Sequence, residues 1–375
     1  MEKNKKIDAS VQLLRIIAIF MVIGTHIKLS YVDNEIISVH KMFIACIVGD
    51  GVAVFWTILG FYYFRDIEYK KRMKQLFFKI IIPLIVFTLI TFYFYRYLSG
   101  THSLLQSMSH TKQEYIDLFK IGILEWSNPV LGGYHFWYLY VYILVVLIEP
   151  ILEKVKNIID KSNIDYKKCI LFIIALLIFN DLSYNKFFYF NQVTFNGVLG
   201  ASMFVITGYI LYSNIGKIKN NKKIGMLGLL LFLITNIIRC FIMCKISVGN
   251  NPINEPIYWF TSYGALSVIG IIMFVYGILD KFLNKKIVYK GVTHIGKLVF
   301  YVYLVHVMVL TFLNSNGVNL SIIEQFENIK YNAILYQIIY TIIIFIISIV
   351  ISEIILLIEK LIKMLINKIK TQKYK

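Results

Sequence analysis

Charge is scarce in this chain and negative charge scarcest: Asp and Glu total 21 against 39 Lys and Arg, and charged residues make up only 16% of 375. A soluble globular domain carries roughly 25% charged residues, so an ordinary water-facing surface is excluded. Cysteine is also rare. The four cysteines (Cys46, Cys169, Cys240, Cys244) fall in or beside apolar runs, with no CxxC and no Cys/His ligand spacing. Neither a disulfide framework nor a metal site is expected from them. Long polar stretches, Gly/Ser linkers and evident internal repeats are missing too. One domain over 1–375 is therefore expected, rather than the two that length alone suggests.

What fills the chain is apolar: 58% of residues are hydrophobic and 16% aromatic. Ten apolar stretches stand out, at 11–31, 42–64, 77–98, 135–152, 168–184, 194–213, 224–246, 256–279, 297–313 and 333–359. Most approach the roughly 20 residues that carry a helix across about 30 Å of hydrocarbon. The expected fold is an all-α membrane protein, a bundle of about ten transmembrane helices. No removable signal peptide is expected, since the first run is full-length and holds Arg15 and His26.

The net charge of +18 would suggest nucleic acid in a soluble protein. Its distribution excludes that reading, because the basic residues sit in short tracts between apolar runs. Counted in alternate connecting segments from the N-terminus, 27 of the 39 Lys and Arg fall on one side and eight on the other; Arg15, Lys79, Arg239 and Lys297 lie within or at the edge of spans. The positive-inside rule then predicts both termini in the cytoplasm. The longest outer segment, 99–133, has the apolar spacing of a short amphipathic or re-entrant element.

Ionisable groups inside the spans are expensive and so mark functional candidates. Arg15 and His26 are eleven residues apart in the first span. At 100° and 1.5 Å per residue they share one helix face about 16 Å apart. That spacing puts Arg15 near the cytoplasmic boundary and His26 towards mid-depth. The bland alternative has Arg15 snorkelling to headgroups and His26 bonded to a neighbouring helix. His306 lies near mid-depth in the ninth span. Arg239 lies deep in the seventh and needs a partner, and Asp50 in the second reads as a counter-ion for some neighbouring cation. The run Lys70, Lys71, Arg72 and Lys74, followed by Lys79, is at least a topology signal. It also has the charge chemistry that binds phosphates. Small residues around Gly51–Gly60 suit close helix packing.

Five segments, in order, resemble the acyltransferase-3 family of integral membrane O-acyltransferases, which modify bacterial surface glycans. They are Leu14-Arg15 through Thr25-His26, Gly51-Val52-Ala53-Val54-Phe55-Trp56 through Gly60-Phe61, and Lys71-Arg72 through Lys79 and Pro83. The fourth is His135-Phe136-Trp137-Tyr138-Leu139, and the fifth Gly296-Lys297 through Tyr303-Leu304-Val305-His306. The chain departs from the family pattern at Ala53, Leu59, Lys79 and Val299, where Asp, Ser, Arg and Ser are common.

The resemblance implies an O-acetyltransferase of the bacterial plasma membrane, with no permanently bound cofactor. Acetyl-CoA would be the acyl donor, its phosphates near Arg15, Arg72 and Lys79. His26 would act as general base or transient acyl carrier, with His306 as second acid/base or orienter. A surface polysaccharide or related glycan would enter from the outer face past His135 and Trp137. No fused extracytoplasmic domain is expected, so partner proteins of envelope synthesis could receive the acyl group. A transporter or flippase for a glycan or lipid-linked intermediate fits the buried Arg and His equally well on composition.

Overall fold

A computed structural model of the protein describes residues 7–27, 32–33, 36–37, 39–65, 68–98, 133–161, 168, 170–171, 173–175, 195–246, 262–319 and 332–373. Among these residues the structure is helical apart from one hairpin of two-residue strands, β1 (Val32–Asp33) and β2 (Ile36–Ile37). The helices are α1 (Ala9–His26), α2 (Val39–Val48), α3 (Gly51–Tyr63), α4 (Tyr69–Leu98), α5 (Trp137–Leu147), α6 (Glu149–Lys161), α7 (Phe195–Ser213), α8 (Lys222–Ile246), α9 (Tyr263–Leu283), α10 (Lys286–Ser315) and α11 (Asn332–Lys373). Among the described residues seven helical segments are long and apolar enough to cross a membrane, with α2 and α3 forming one of them; α5 and Gly197–Ser213 are shorter apolar helices. The element expected over 99–133 and most of the stretch 168–184 lie outside the described residues.

Local chemistry sets the helix ends. Asp8 caps α1, its Oδ1 accepting from the backbone N–H of Ser10 at 2.9 Å and of Val11 at 3.3 Å. The helix then stops at His26, not near residue 31 as the hydropathy suggests, so His26 lies in the last turn and not at the middle of the helix. The second apolar run is broken at Gly49-Asp50, between α2 and α3. The fourth is cut at Ile148, where Pro150 occupies the second position of α6, a place that needs no backbone N–H. The helix α6 is amphipathic. It keeps Leu152 inside, exposes Ile151, Val155 and Ile158, and anchors on α7 through Tyr209, whose hydroxyl donates to Asp160 at 2.7 Å. The basic run Lys70–Lys74, expected as a connecting segment, is the first part of α4.

Side-chain contacts fix the helix directions. Trp56 meets Tyr138 at 4.6 Å between ring centroids and Tyr63 donates to the carbonyl of Val145, so α3 and α5 run the same way. Phe61 stacks on Tyr212 at 4.9 Å, and Gly208 lies against Thr57, so α7 runs with them. The helices α1, α4, α8 and α10 run oppositely: Gly51 abuts Ala18–Val22, Tyr69 bonds Leu147 O, Arg239 meets Asp50, and His26 meets His306. The result collects Arg65, Lys70, Lys71, Arg72, Lys217 and Lys285, among other cations, at one end of the bundle.

Close crossings hold the bundle together. A Cβ on Gly60 would run into the carbonyl of Val205, and one on Gly208 into that of Thr57, so glycine is what lets α3 and α7 touch backbone to backbone. The helix α8 turns Leu227, Leu230, Ile234 and Phe241 outward, and buries Thr235, Asn236 and Arg239. An apolar exterior over a polar interior is the inverse of a soluble helix, and is what lipid requires.

Candidate functional site: a histidine cluster at the end of a cavity

Three histidines from three elements meet in the bundle. His26 comes from the last turn of α1, His135 from the short turn Tyr134–Phe136 before α5, and His306 from the middle of α10. Their ring centroids are 5.0 Å apart for His135 and His306, 5.2 Å for His26 and His306, and 6.3 Å for His26 and His135. His306 is 0% exposed and His135 1%, whereas His26 is only partly buried. The Nδ1 of His306 lies 2.7 Å from the carbonyl of Tyr303, one turn earlier. A carbonyl only accepts, so Nδ1 carries the proton and a neutral ring keeps its lone pair on Nε2. That Nε2 is buried and has no hydrogen-bond partner among the described residues. Tyr303 also donates its hydroxyl to the carbonyl of His135, tying α10 to the start of α5. Among the described residues no group of three or more His, Cys, Asp or Glu is arranged to hold a metal ion.

A cavity of about 270 Å³ leads to this cluster. Gln12 and Arg15 of α1 and Tyr62 of α3 line it towards the basic end, and Tyr138, Leu139 and Tyr303 towards the histidines. Phe55, Tyr142 and Phe300 complete a largely aromatic wall. Arg15 donates to Gln12 Oε1 at 3.2 Å. Tyr303 belongs both to the cavity and to the cluster, its ring 5.7 Å from the rings of His135 and His306. Arg15 lines the cavity and none of the three histidines does; Tyr303 is the residue that the cavity and the cluster share.

The other expected site residues fall differently. Arg72 forms a 2.8 Å ion pair with Glu149, with side chains 12% and 10% exposed, and also donates to the carbonyls of Tyr63 and Arg65. It joins the start of α4 to α6 and does not line the cavity. Lys79 is exposed on α4, next to Ile80, which does line it. His135, expected at an outer mouth, is inside the cluster. Trp137, two residues on, opens α5, partly buried against the core. Tyr62, Tyr138 and Tyr303 were missed by sequence reasoning. For Tyr303 a signal existed, since it stands one helical turn before His306 on the same face.

Arg239, which needed a partner, finds it in Asp50, and nothing in the sequence tied the one to the other. Both side chains are 0% exposed; Nη1 reaches Oδ1 at 2.8 Å and Nη2 reaches Oδ2 at 3.0 Å. Ser267 also donates to Asp50, and Arg239 donates to Asn236 Oδ1 and to the carbonyl of Cys46. Such a buried charge pair needs hydrogen bonds around it; both Nη atoms and both carboxylate oxygens have them here, while the buried Nε has none among the described residues.

The fold and this site define a multi-pass helical membrane protein with a cluster of imidazoles packed beside a cavity that an arginine lines. The family model described as the acyltransferase domain matches residues 8–353, nearly the whole chain, and the chain belongs to that family, acyltransferase-3. It is a membrane acyltransferase. Neither the curated proteins nor the solved structures yield a significant match.

Proposed function

We propose that the protein is an O-acetyltransferase: it moves an acetyl group from acetyl-CoA to a hydroxyl of a cell-surface polysaccharide or related glycan. The observation that carries this reading is that Arg15 and Tyr303 line one cavity, with Tyr303 packed on the histidines. The pantetheine arm of CoA is a single narrow chain. Laid along this channel, it spans from phosphates near Arg15 to a thioester beside the imidazoles. In this reading the exposed Lys79, beside Ile80 of the cavity wall, adds charge near the phosphates, whereas Arg72 is already paired with Glu149.

In the proposed reaction the acceptor hydroxyl gives its proton to His26 as its oxygen attacks the thioester carbonyl. The C–O ester bond forms, the C–S bond breaks, and the imidazolium returns the proton to the departing thiolate. His306 offers Nε2 to the acceptor hydroxyl or to the His26 ring, and so orients one or the other. His26 suits the role of primary base because it is the partly exposed ring, reachable by a glycan. His135 and Trp137 stand where the acceptor would approach.

The same reading takes the basic end of the bundle as cytoplasmic and the glycan side as the outer face of a bacterial plasma membrane. The parallel course of α5 and α7 supports ten crossings. Both descend towards the basic end, which requires one further crossing between them, and 168–184 is the apolar stretch available for it. With that crossing both termini lie inside.

The test is thiol release by purified protein in detergent or nanodiscs. With acetyl-CoA and a hydroxyl-bearing glycan, free CoA should appear in step with ester formation. Uptake or binding of glycan with no CoA released under any acceptor would replace acyl transfer by transport.

A further inference from the structure

The last turn of α1, which carries His26, is held from behind by groups that take no part in the cavity. Gly24 and His26 are two residues apart, about 200° around the helix, so they face opposite sides. On the Gly24 side α1 packs closely on α2: a Cβ there would lie 2.9 Å from Val48 Cγ1. Gln337 of α11 is 4% exposed and donates its Nε2 to the carbonyl of Gly24 at 2.5 Å. The Thr25 hydroxyl stands 2.9 Å from the carbonyl of Val48 and 3.0 Å from that of Met21 on its own helix, so its single proton is shared between α2 and α1.

Val48 is the last residue of α2, so its carbonyl has no partner within that helix. The Cys46 carbonyl in the same last turn accepts from Arg239, which is clamped by Asp50 just past the helix end. The end of α2 is thus capped from two directions, by Thr25 of α1 and by Arg239 of α8. Asp50, Ser267 and Asn236 hold that arginine rigid. An ion pair buried in hydrocarbon is a poor source of stability and a good source of register.

We propose that Gln337 and the Asp50–Arg239 pair are positioning residues for His26: they fix the last turn of α1 against α2 and α11, and so set the His26–His306 separation. The kinetic part of this inference rests on the acyl-transfer reading, and the geometric part does not.

The test uses Gln337→Met and Thr25→Val, near-isosteric changes that leave the buried ion pair intact, with Thr25→Ser as the conservative rescue. Asp50→Asn is made both in the wild-type and in the Thr25→Val background. Three quantities are read: kcat with donor KM, Tm, and the rate at which diethylpyrocarbonate modifies His26, followed by mass spectrometry. Gln337→Met and Thr25→Val should each lower kcat about three- to tenfold, the scale of one lost hydrogen bond. Donor KM should stay within about twofold, the modification rate of His26 should change, and Thr25→Ser should behave as wild type. Asp50→Asn should cost less in the Thr25→Val background than alone, because the relay is already cut. Wild-type kcat per folded molecule together with a wild-type modification rate in Gln337→Met and Thr25→Val overturns the inference, whatever Tm does. An equal effect of Asp50→Asn in both backgrounds overturns the part played by the ion pair. Should the wild-type protein transfer no acyl group, the modification rate alone decides, so the two readings fail separately.

Discussion

His306 donates its Nδ1–H to the carbonyl of Tyr303, 2.7 Å away in the same helix. That bond leaves Nε2 as a fixed lone pair, 5.2 Å from the His26 ring between centroids. In the proposed reaction these two imidazoles serve as base and orienter. On the proposed chemistry His26→Asn should keep normal insertion and near-normal Tm but lose at least about 10²-fold in kcat, the lower end of general base catalysis. His306→Asn should cost less. Turnover assays on both variants decide the roles: activity retained in His26→Asn and abolished in His306→Asn reverses them.

Arg15 and Arg72 set the proposed donor site apart from the scaffold. Arg15 lines the cavity, so Arg15→Gln should raise donor KM by roughly 10- to 150-fold, the worth of one charge-assisted bond of about 1.5–3 kcal/mol. Initial rates against acetyl-CoA concentration measure this, and an unchanged KM removes Arg15 from the donor site.

Arg72→Gln should act on stability instead. Its partner Glu149 would be left nearly buried and uncompensated, at a cost of about 3 kcal/mol. Thermal unfolding in detergent should show a lowered Tm with donor KM unchanged, and Glu149→Gln should show the same. A KM effect without loss of Tm would instead place Arg72 at the phosphates.

Gly60 is the contact point of α3 and α7, and any side chain there meets the Val205 carbonyl. Gly60→Val should therefore push the helices apart and lower both folded yield and Tm, as overpacking does at about 1–3 kcal/mol or more. Size-exclusion recovery and Tm check it; a variant as stable as wild type would mean that α3 and α7 do not cross here.

The sidedness of the bundle is open to direct labelling. Lys222 begins α8 at the basic end, so Lys222→Cys should resist a membrane-impermeant thiol reagent in intact cells and react after lysis. Labelling from outside would invert the topology.

Much of this protein is local in origin and was therefore readable from the chain. Hydropathy marks the apolar helices because a span needs about 20 such residues whatever its neighbours are. The charge alternation anticipated the grouping of the basic tracts at one end. The eleven-residue spacing placed Arg15 and His26 on one face because helical periodicity is a property of a single segment. That Arg239 needed a partner followed from the cost of a lone charge in lipid, although which carboxylate supplies it did not.

What only the tertiary structure decided is which faces meet. His135 joins His306 across 171 positions of sequence through the packing of α5 on α10, and no local pattern encodes that approach. Arg72 had the chemistry of a phosphate ligand until the fold brought Glu149 within 2.8 Å of it. The apolar run continues past His26 to residue 31, whereas α1 ends at His26, where Thr25 and Gln337 hold its last turn against α2 and α11. Hydrophobicity reports how deep a residue can sit, whereas its partners depend on helix crossings fixed by shape, glycine contacts and hydrogen bonds between segments far apart in the chain.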